Sequence, residues 1–123
     1  MVSEYEYITV AELEGYSGID YSALDATFSN TVIEEQIGIA ERICNGIKRG
    51  SYTSTTVPDD VEAATFLMSK RLMNNLMIEF GYGAPGETVA QVVDEVIIKM
   101  LAALSPKKYD YKLVSDVTSG FFN

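Results

Sequence analysis

Residue types that carry catalysis and metal binding are scarce in this sequence. It contains no histidine, no tryptophan and a single cysteine, Cys44. The chain therefore lacks the commonest general base at neutral pH, and one cysteine allows neither an internal disulfide nor a Cys/His zinc cluster. We expect no catalytic residues of its own, no cofactor and no metal site, and we predict that the protein is not an enzyme.

Long apolar runs are missing as well. No stretch approaches the roughly 20 apolar residues that a membrane-spanning helix needs. The start, Met1 to Glu4, has neither the basic residues nor the apolar stretch of a signal peptide. At 123 residues, 47 % of them hydrophobic, the chain can bury the core of one domain. We expect a soluble protein with no membrane association.

Positive charge is absent from the first third of the chain. The formal net charge is −9, and every Lys and Arg lies at or beyond Arg42. The acidic residues of that first third are Glu4, Glu6, Glu12, Glu14, Asp20, Asp25, Glu34, Glu35 and Glu41. Basic residues cluster only as the pairs Lys48-Arg49, Lys70-Arg71 and Lys107-Lys108. Because nucleic-acid binding depends on a basic surface, this distribution argues against tight DNA binding.

Helical signals dominate the first 106 residues. A capping box at Thr9 predicts a short helix that Gly15 or Gly18 ends, and residues 20–25 can add another turn. Helical spacing of apolar residues predicts longer helices over 32–48, 58–80 and 89–104, and Ser29 and Asn30 are candidate caps for the first of them. We predict a mainly α fold, a small bundle of about four helices with an extended C-terminal tail, divided into a domain over 1–106 and an arm over 107–123.

The local motifs that suggest binding or catalysis have simpler explanations. The pattern Gly81-x-Gly83-x-x-Gly86 follows a predicted long helix and not a strand, so an interhelical turn is favoured over a dinucleotide site. Adjacent carboxylates such as Asp59-Asp60 point about 100° apart on a helix and do not converge on a metal. Cys44 falls in an apolar helical stripe, which favours a buried small side chain. Helical spacing favours core positions for Met68, Met73, Met77 and Met100.

Three segments together resemble the head-tail connector (adaptor) proteins of long-tailed phages and related tailed viruses. They are the opening 7–13 (YITVAEL), the helix 32–43 (VIEEQIGIAERI) leading to Gly46 and Arg49, and the helix start 57–64 (VPDDVEAA). The resemblance covers about residues 7–104. The longer, aromatic-rich tail and the wholly acidic start depart from many members of that family.

The resemblance implies a structural role in the virion, at the head-tail interface. Family members are small helical bundles that join a ring, usually dodecameric, beneath the portal protein. The ring forms a channel through which DNA passes without sequence-specific binding, and it carries the next tail-side connector or tail protein. The expected partners are therefore further copies of the chain, the portal and that next component.

Two groups of residues are predicted to carry this role. An acidic channel wall would repel passing DNA, and an apolar tail cut off from the helices by Pro106 would act as an assembly arm. The channel-facing candidates are Glu4, Glu6, Glu12, Glu14, Asp20 and Asp25. The arm candidates are Tyr109, Tyr111, Leu113, Val114, Val117, Phe121 and Phe122.

Two other classes of function stay open at this stage. A small acidic regulatory or antitoxin-like helical protein could sequester a basic partner with its acidic N-terminal segment. An enzyme whose site is completed at a subunit interface could combine a carboxylate of one chain with a Lys or Tyr of another. Co-purification with a basic partner would select the former, and turnover that appears only in the oligomer would select the latter.

Overall fold

The structure, a computed structural model, describes residues 4–103, which form five α-helices and no strand. The helices are α1 (Val10–Ser17), α2 (Tyr21–Leu24), α3 (Asn30–Lys48), α4 (Asp59–Glu79) and α5 (Glu95–Ala103). The predicted helical fold is thereby confirmed. The predicted arm lies outside the described residues.

Local capping fixes where the first four helices begin. Thr9 and Glu12 form a complete capping box at α1, which ends at Gly18 in the left-handed conformation (φ 75°). Asp20 and Ser29 accept hydrogen bonds from the first turns of α2 and α3. Pro58 precedes α4, whose first turn carries three acidic residues that complement the helix dipole. These starts agree with the sequence predictions to within two residues.

The predicted start of the last helix is wrong. Helix α5 begins at Glu95, six residues after the predicted Val89, and residues 81–94 form an irregular loop. The Asp94 carboxylate accepts hydrogen bonds from the backbone N–H groups of Val96 and Ile97, at 3.1 and 3.2 Å, and so caps the helix there. The glycine motif of residues 81–86 is confirmed as an interhelical turn, with Gly81 and Gly86 at positive φ.

Helices α3 and α4 run through both halves of the apolar interior. The first half packs α5 against them and is formed by Tyr7, Ala40, Cys44, Val61, Ala64, Met68, Ile97 and Leu101. The second half packs the N-terminal segment, α1 and α2 against them and is formed by Ile8, Leu13, Tyr21, Phe28, Ile33, Ile37 and Met73. Core positions for Met68 and Met73 are confirmed, whereas Met77 and Met100 are only partly buried.

Candidate assembly surface

A buried carboxylate fixes the N-terminal segment on α3. Glu41 is fully buried, and its two carboxylate oxygens accept hydrogen bonds from the backbone N–H groups of Tyr5 (3.3 Å) and Tyr7 (2.9 Å). Glu6 between them has a φ of 54°, a conformation that turns successive N–H groups toward one anion. Glu41 is one of the nine acidic residues of the first third, and it belongs to the interior of the molecule.

Tyr7 extends this attachment to the loop before α4. Its hydroxyl donates to Asn45 Oδ1 at 2.7 Å and accepts from the backbone N–H of Tyr52 at 2.8 Å. Burial raises the pKa of the Tyr7 phenol, and the hydrogen bonds from Tyr52 and to Asn45 oppose that rise. One buried side chain therefore joins the N-terminal segment, α3 and the loop over residues 49–58.

The six channel-facing candidates lie around the N-terminal segment, α1 and α2. Glu4, Glu6, Glu12 and Asp20 are exposed, and Glu14 and Asp25 are partly buried. Glu12 and Asp20 also serve as caps, so their negative charge is fixed near helix N-termini. Within residues 4–103, none of the six forms a salt bridge. This side of the molecule therefore presents negative charge that no neighbouring cation of the described part neutralises.

The basic side chains of the middle of the chain are used inside the fold. Lys48 Nζ donates to the Leu101 carbonyl at 3.1 Å, near the end of α5. Lys70 lies over the Tyr16 ring, 5.7 Å from its centre. Arg71 pairs with Asp94 at 3.0 Å. Within residues 4–103, Lys48 of the first basic pair and both members of the pair Lys70-Arg71 are therefore engaged in contacts of the fold itself.

Side chains of α4 hold the loop that precedes α5. Asn75 accepts from the Ala90 N–H at 2.7 Å and donates to the Ala90 carbonyl at 2.8 Å. Arg71 donates to the Val92 carbonyl at 3.2 Å. These roles of Asn75 and Arg71 are not predictable from the local sequence, because their partners lie 15 and 21 positions further along the chain.

Tyr82 ties the first part of the same loop to the α2–α3 connection. Its hydroxyl donates to Asp25 Oδ2 at 2.7 Å, and its ring meets Phe28 edge to face at a centroid distance of 6.0 Å. Phe80 meets Phe28 in the same manner at 5.3 Å. The hydroxyl of Tyr82 and the Thr27 backbone lower the pKa of Asp25 below its ordinary value. Asp25, a channel-facing candidate, thus has a structural contact of its own.

Large apolar side chains remain exposed at both ends of the molecule. The most exposed belong to α5 and the loop before it: Val96 (56 %), Val89 (53 %) and Ile98 (51 %). The others are Tyr16, Leu24, Ile47, Phe80 and Tyr82. Helix α5 buries Ile97 and Leu101 and exposes Val96 and Ile98, which lie about 200° apart on the helix and therefore on its two flanks. Exposed apolar side chains beside a buried stripe are the kind that another protein can cover.

Candidate metal ligands within residues 4–103 do not converge on one position. No three His, Cys, Asp or Glu side chains of this range are placed to hold a metal ion. Cys44 is fully buried 3.6 Å from the Thr65 hydroxyl, and burial raises the pKa of its thiol. The predicted burial of Cys44 is confirmed, and a raised thiol pKa disfavours the nucleophilic thiolate.

Acid should weaken the attachment of α5 through Asp94. The hydrogen bond and charge of Arg71, with the backbone N–H groups of Ile97 and Val96, lower the pKa of Asp94 below its ordinary 3.8. Since the folded-state pKa is the lower one, this stabilisation is present above pH 3.8 and is lost as the pH falls through the folded-state value. Thermal unfolding followed by circular dichroism from pH 7 downward should therefore show Tm falling most steeply below about pH 4.

The matched variant for this prediction is Asp94→Asn. The amide oxygen still caps α5, but it cannot ionise or pair with Arg71 as an anion. We expect a lower Tm at neutral pH and a shallower loss of Tm in acid than in the unmodified protein. An unchanged acid profile would show that Asp94 does not contribute to the pH dependence.

Comparison with known proteins adds no relative to these observations. The chain matches no protein-family model, no curated protein sequence and no solved structure. Among the described residues, no helix has the length and apolar character required to cross a membrane.

Proposed function

We propose that this protein is a structural head-tail adaptor subunit that forms a ring beneath the portal of a tailed virus. In that ring it lines the DNA channel and joins the head to the tail. The observation that carries the proposal is the meeting of the three segments that resemble the connector family. Tyr7 of the first segment packs with Ala40 of the second and with Val61 and Ala64 of the third in one buried cluster.

The uncovered apolar side chains of α5 support an assembling subunit over an isolated monomer. A helix that exposes Val96 and Ile98 by more than half gains free energy when a neighbour covers it, since burial is worth about 25 cal/mol per Å² of apolar surface. The surface around α1 and α2 carries carboxylates and suits contact with water and passing DNA. We therefore assign α5 to subunit contacts and the candidates around Glu4 and Asp20 to the channel wall.

The direct test is the oligomeric state of the full chain, alone and with the portal protein of the same virus. We expect negative-stain images to contain closed rings, and light scattering to report a mass many times the 13.5 kDa of the monomer. Images of particles should place the protein at the head-tail junction. A monomer that persists with the portal present contradicts the proposal.

Removal of the predicted arm should separate assembly from folding. A chain truncated after Lys108 retains every described helix, so its far-ultraviolet circular dichroism per helical residue should match that of the full chain. It loses the apolar and aromatic residues that are expected to contact the next subunit or the portal, so ring attachment should weaken or disappear. Normal assembly of the truncated chain would exclude the arm role.

An acidic regulatory or antitoxin-like protein is the second candidate. It is favoured by the carboxylates around α1 and α2, which form no salt bridge within residues 4–103 and could bind a basic partner. Affinity purification separates the two candidates: recovery of a basic toxin or polymerase at stoichiometric amounts selects regulation, and recovery of portal or tail proteins selects the adaptor.

A further inference from the structure

Residues 87–91 form an exposed stretch beside α4 that contains no helix, turn or bend. The side chain of Asn75 forms hydrogen bonds with both backbone groups of Ala90, as a neighbouring strand would. The Ala90 N–H donates to Asn75 Oδ1 at 2.7 Å, and the Ala90 carbonyl accepts from Asn75 Nδ2 at 2.8 Å. Two residues further on, the Val92 carbonyl accepts from Arg71. The backbone groups of residues 90 and 92 therefore face α4.

Because backbone groups alternate sides along extended chain, those of Val89 and Gln91 face away from α4. Neither residue makes a hydrogen bond to any other residue in the range 4–103. Both are exposed, with Val89 at 53 %. The stretch thus has the properties of an edge strand, with one side fixed by α4 side chains and the other open for pairing.

We propose that residues 88–91 receive residues 109–114 of a neighbouring copy as an added strand. This inference rests on the ring function proposed above and names the contact between subunits. The backbone groups of Val89 and Gln91 supply the hydrogen bonds, and the exposed Val89 side chain contacts the aromatic side of the incoming strand.

The sequence of the arm fits this strand position. Residues 109–114 read YDYKLV, so Tyr109, Tyr111 and Leu113 share one side of an extended strand. Residues 107–123 carry three lysines and two aspartates, whereas the whole chain has a formal net charge of −9. The arm is therefore a weakly basic segment on an acidic protein, and Glu87, which forms no salt bridge within residues 4–103, lies beside its proposed receptor.

Reach and symmetry favour a neighbouring copy as the donor. Residues 104–108 span at most about 17 Å when extended, enough to pass from the end of α5 to a subunit packed beside it. The arm and its receptor are different parts of one chain, so each copy donates once and receives once. Head-to-tail contacts of this kind form a ring when the rotation between neighbouring copies closes, and the ring proposed above requires that it does.

The test mixes two full-length variants, each with one half of the contact disabled. Val89→Pro removes an outward N–H from the receptor, and Tyr111→Pro removes one from the arm. At concentrations where the unmodified chain self-associates, each variant alone should be monomeric by native mass spectrometry. Their equimolar mixture should form a 1:1 dimer and nothing larger, because only one intact arm and one intact receptor can meet.

Val89→Thr is the matched control, since it keeps the backbone N–H and the branched shape and should assemble like the unmodified chain. Circular dichroism checks that Val89→Pro retains its helices, and if it does not, Gln91→Pro takes its place. Hydrogen exchange of the unmodified chain adds a measurement without mutation: the amides of Val89 and Gln91 should exchange at least tenfold more slowly in the assembly than in dilute monomer.

Three results overturn the strand contact. The first is a mixture of the two variants that stays monomeric, and the second is a proline variant that assembles as the unmodified chain does. The third is equal protection of the two amides in dilute monomer, which would mean that the arm pairs with the receptor of its own chain. Failure of the proposed ring function gives a distinguishable result. In that case the unmodified full chain remains monomeric at every concentration, and also when the portal protein is present.

Discussion

Replacing Ile97 with Asp should unfold the protein or detach α5. Ile97 is fully buried in the cluster that includes Cys44, Val61 and Met68, and no cation is among those neighbours. An unpaired carboxylate at this position costs about 4 kcal/mol or more, a large part of the roughly 5–15 kcal/mol that stabilises a domain. Urea unfolding followed by circular dichroism measures the change in the free energy of unfolding.

The next residue along the helix provides the control. Ile98 is 51 % exposed, so Ile98→Asp introduces the same charge into the same helix without burying it. We expect a change within about 1 kcal/mol in the free energy of unfolding. Assembly of the Ile98→Asp chain should nevertheless weaken if α5 is covered by a neighbour. A soluble Ile97→Asp protein with full helix content and unchanged stability would contradict the placement of Ile97 in the core.

Replacing Glu41 with Ala should have the second-largest effect. The change removes the acceptors of two backbone N–H groups, those of Tyr5 and Tyr7, at a buried position. Hydrogen bonds to a charged group contribute about 1.5–3 kcal/mol each, so we expect a loss of about 3 kcal/mol in the free energy of unfolding. Amide exchange of Tyr5 and Tyr7 should accelerate together, because both lose the same acceptor group.

Glu35→Ala is the matched control for Glu41→Ala. Glu35 lies on the exposed side of α3, so the same substitution removes an equal charge from the same helix. We expect a change of no more than about 0.5 kcal/mol. Equal effects of the two substitutions would mean that net charge, and not the buried contact with the N-terminal segment, accounts for the loss.

Sequence reasoning predicts the fold best where the signal is local. The capping box of Thr9 and Glu12, the Ser29 cap and Pro58 each act within one turn, so the residues that decide the helix start are adjacent in the sequence. Helical spacing likewise places Ile37, Cys44 and Met68 in the interior, where the structure has them. The same spacing contained a signal that was not used: Glu41 lies four residues after Ile37 and three before Cys44, on the buried side of α3.

The loop before α5 shows where local pattern is insufficient. Residues 89–94 carry apolar side chains at helical spacing, yet Asn75 and Arg71 bind the backbone of Ala90 and Val92 and so compete with helical hydrogen bonds. Asp94 then supplies the cap that sets the helix start at Glu95. A contact between distant parts of the chain exists only once α4 and α5 have packed, so no local window contains it.

The sequence by itself determined the helical class, the starts of the first four helices to within two residues, and the separation of an acidic first third from an apolar, weakly basic tail. Only the tertiary structure decided that Glu41 is a buried anchor, that Asp25 binds Tyr82, and that Val89 and Gln91 present an open backbone edge. The physical reason is one of range. Capping and helical periodicity act over three or four residues, whereas burial and backbone satisfaction depend on which distant segments pack together.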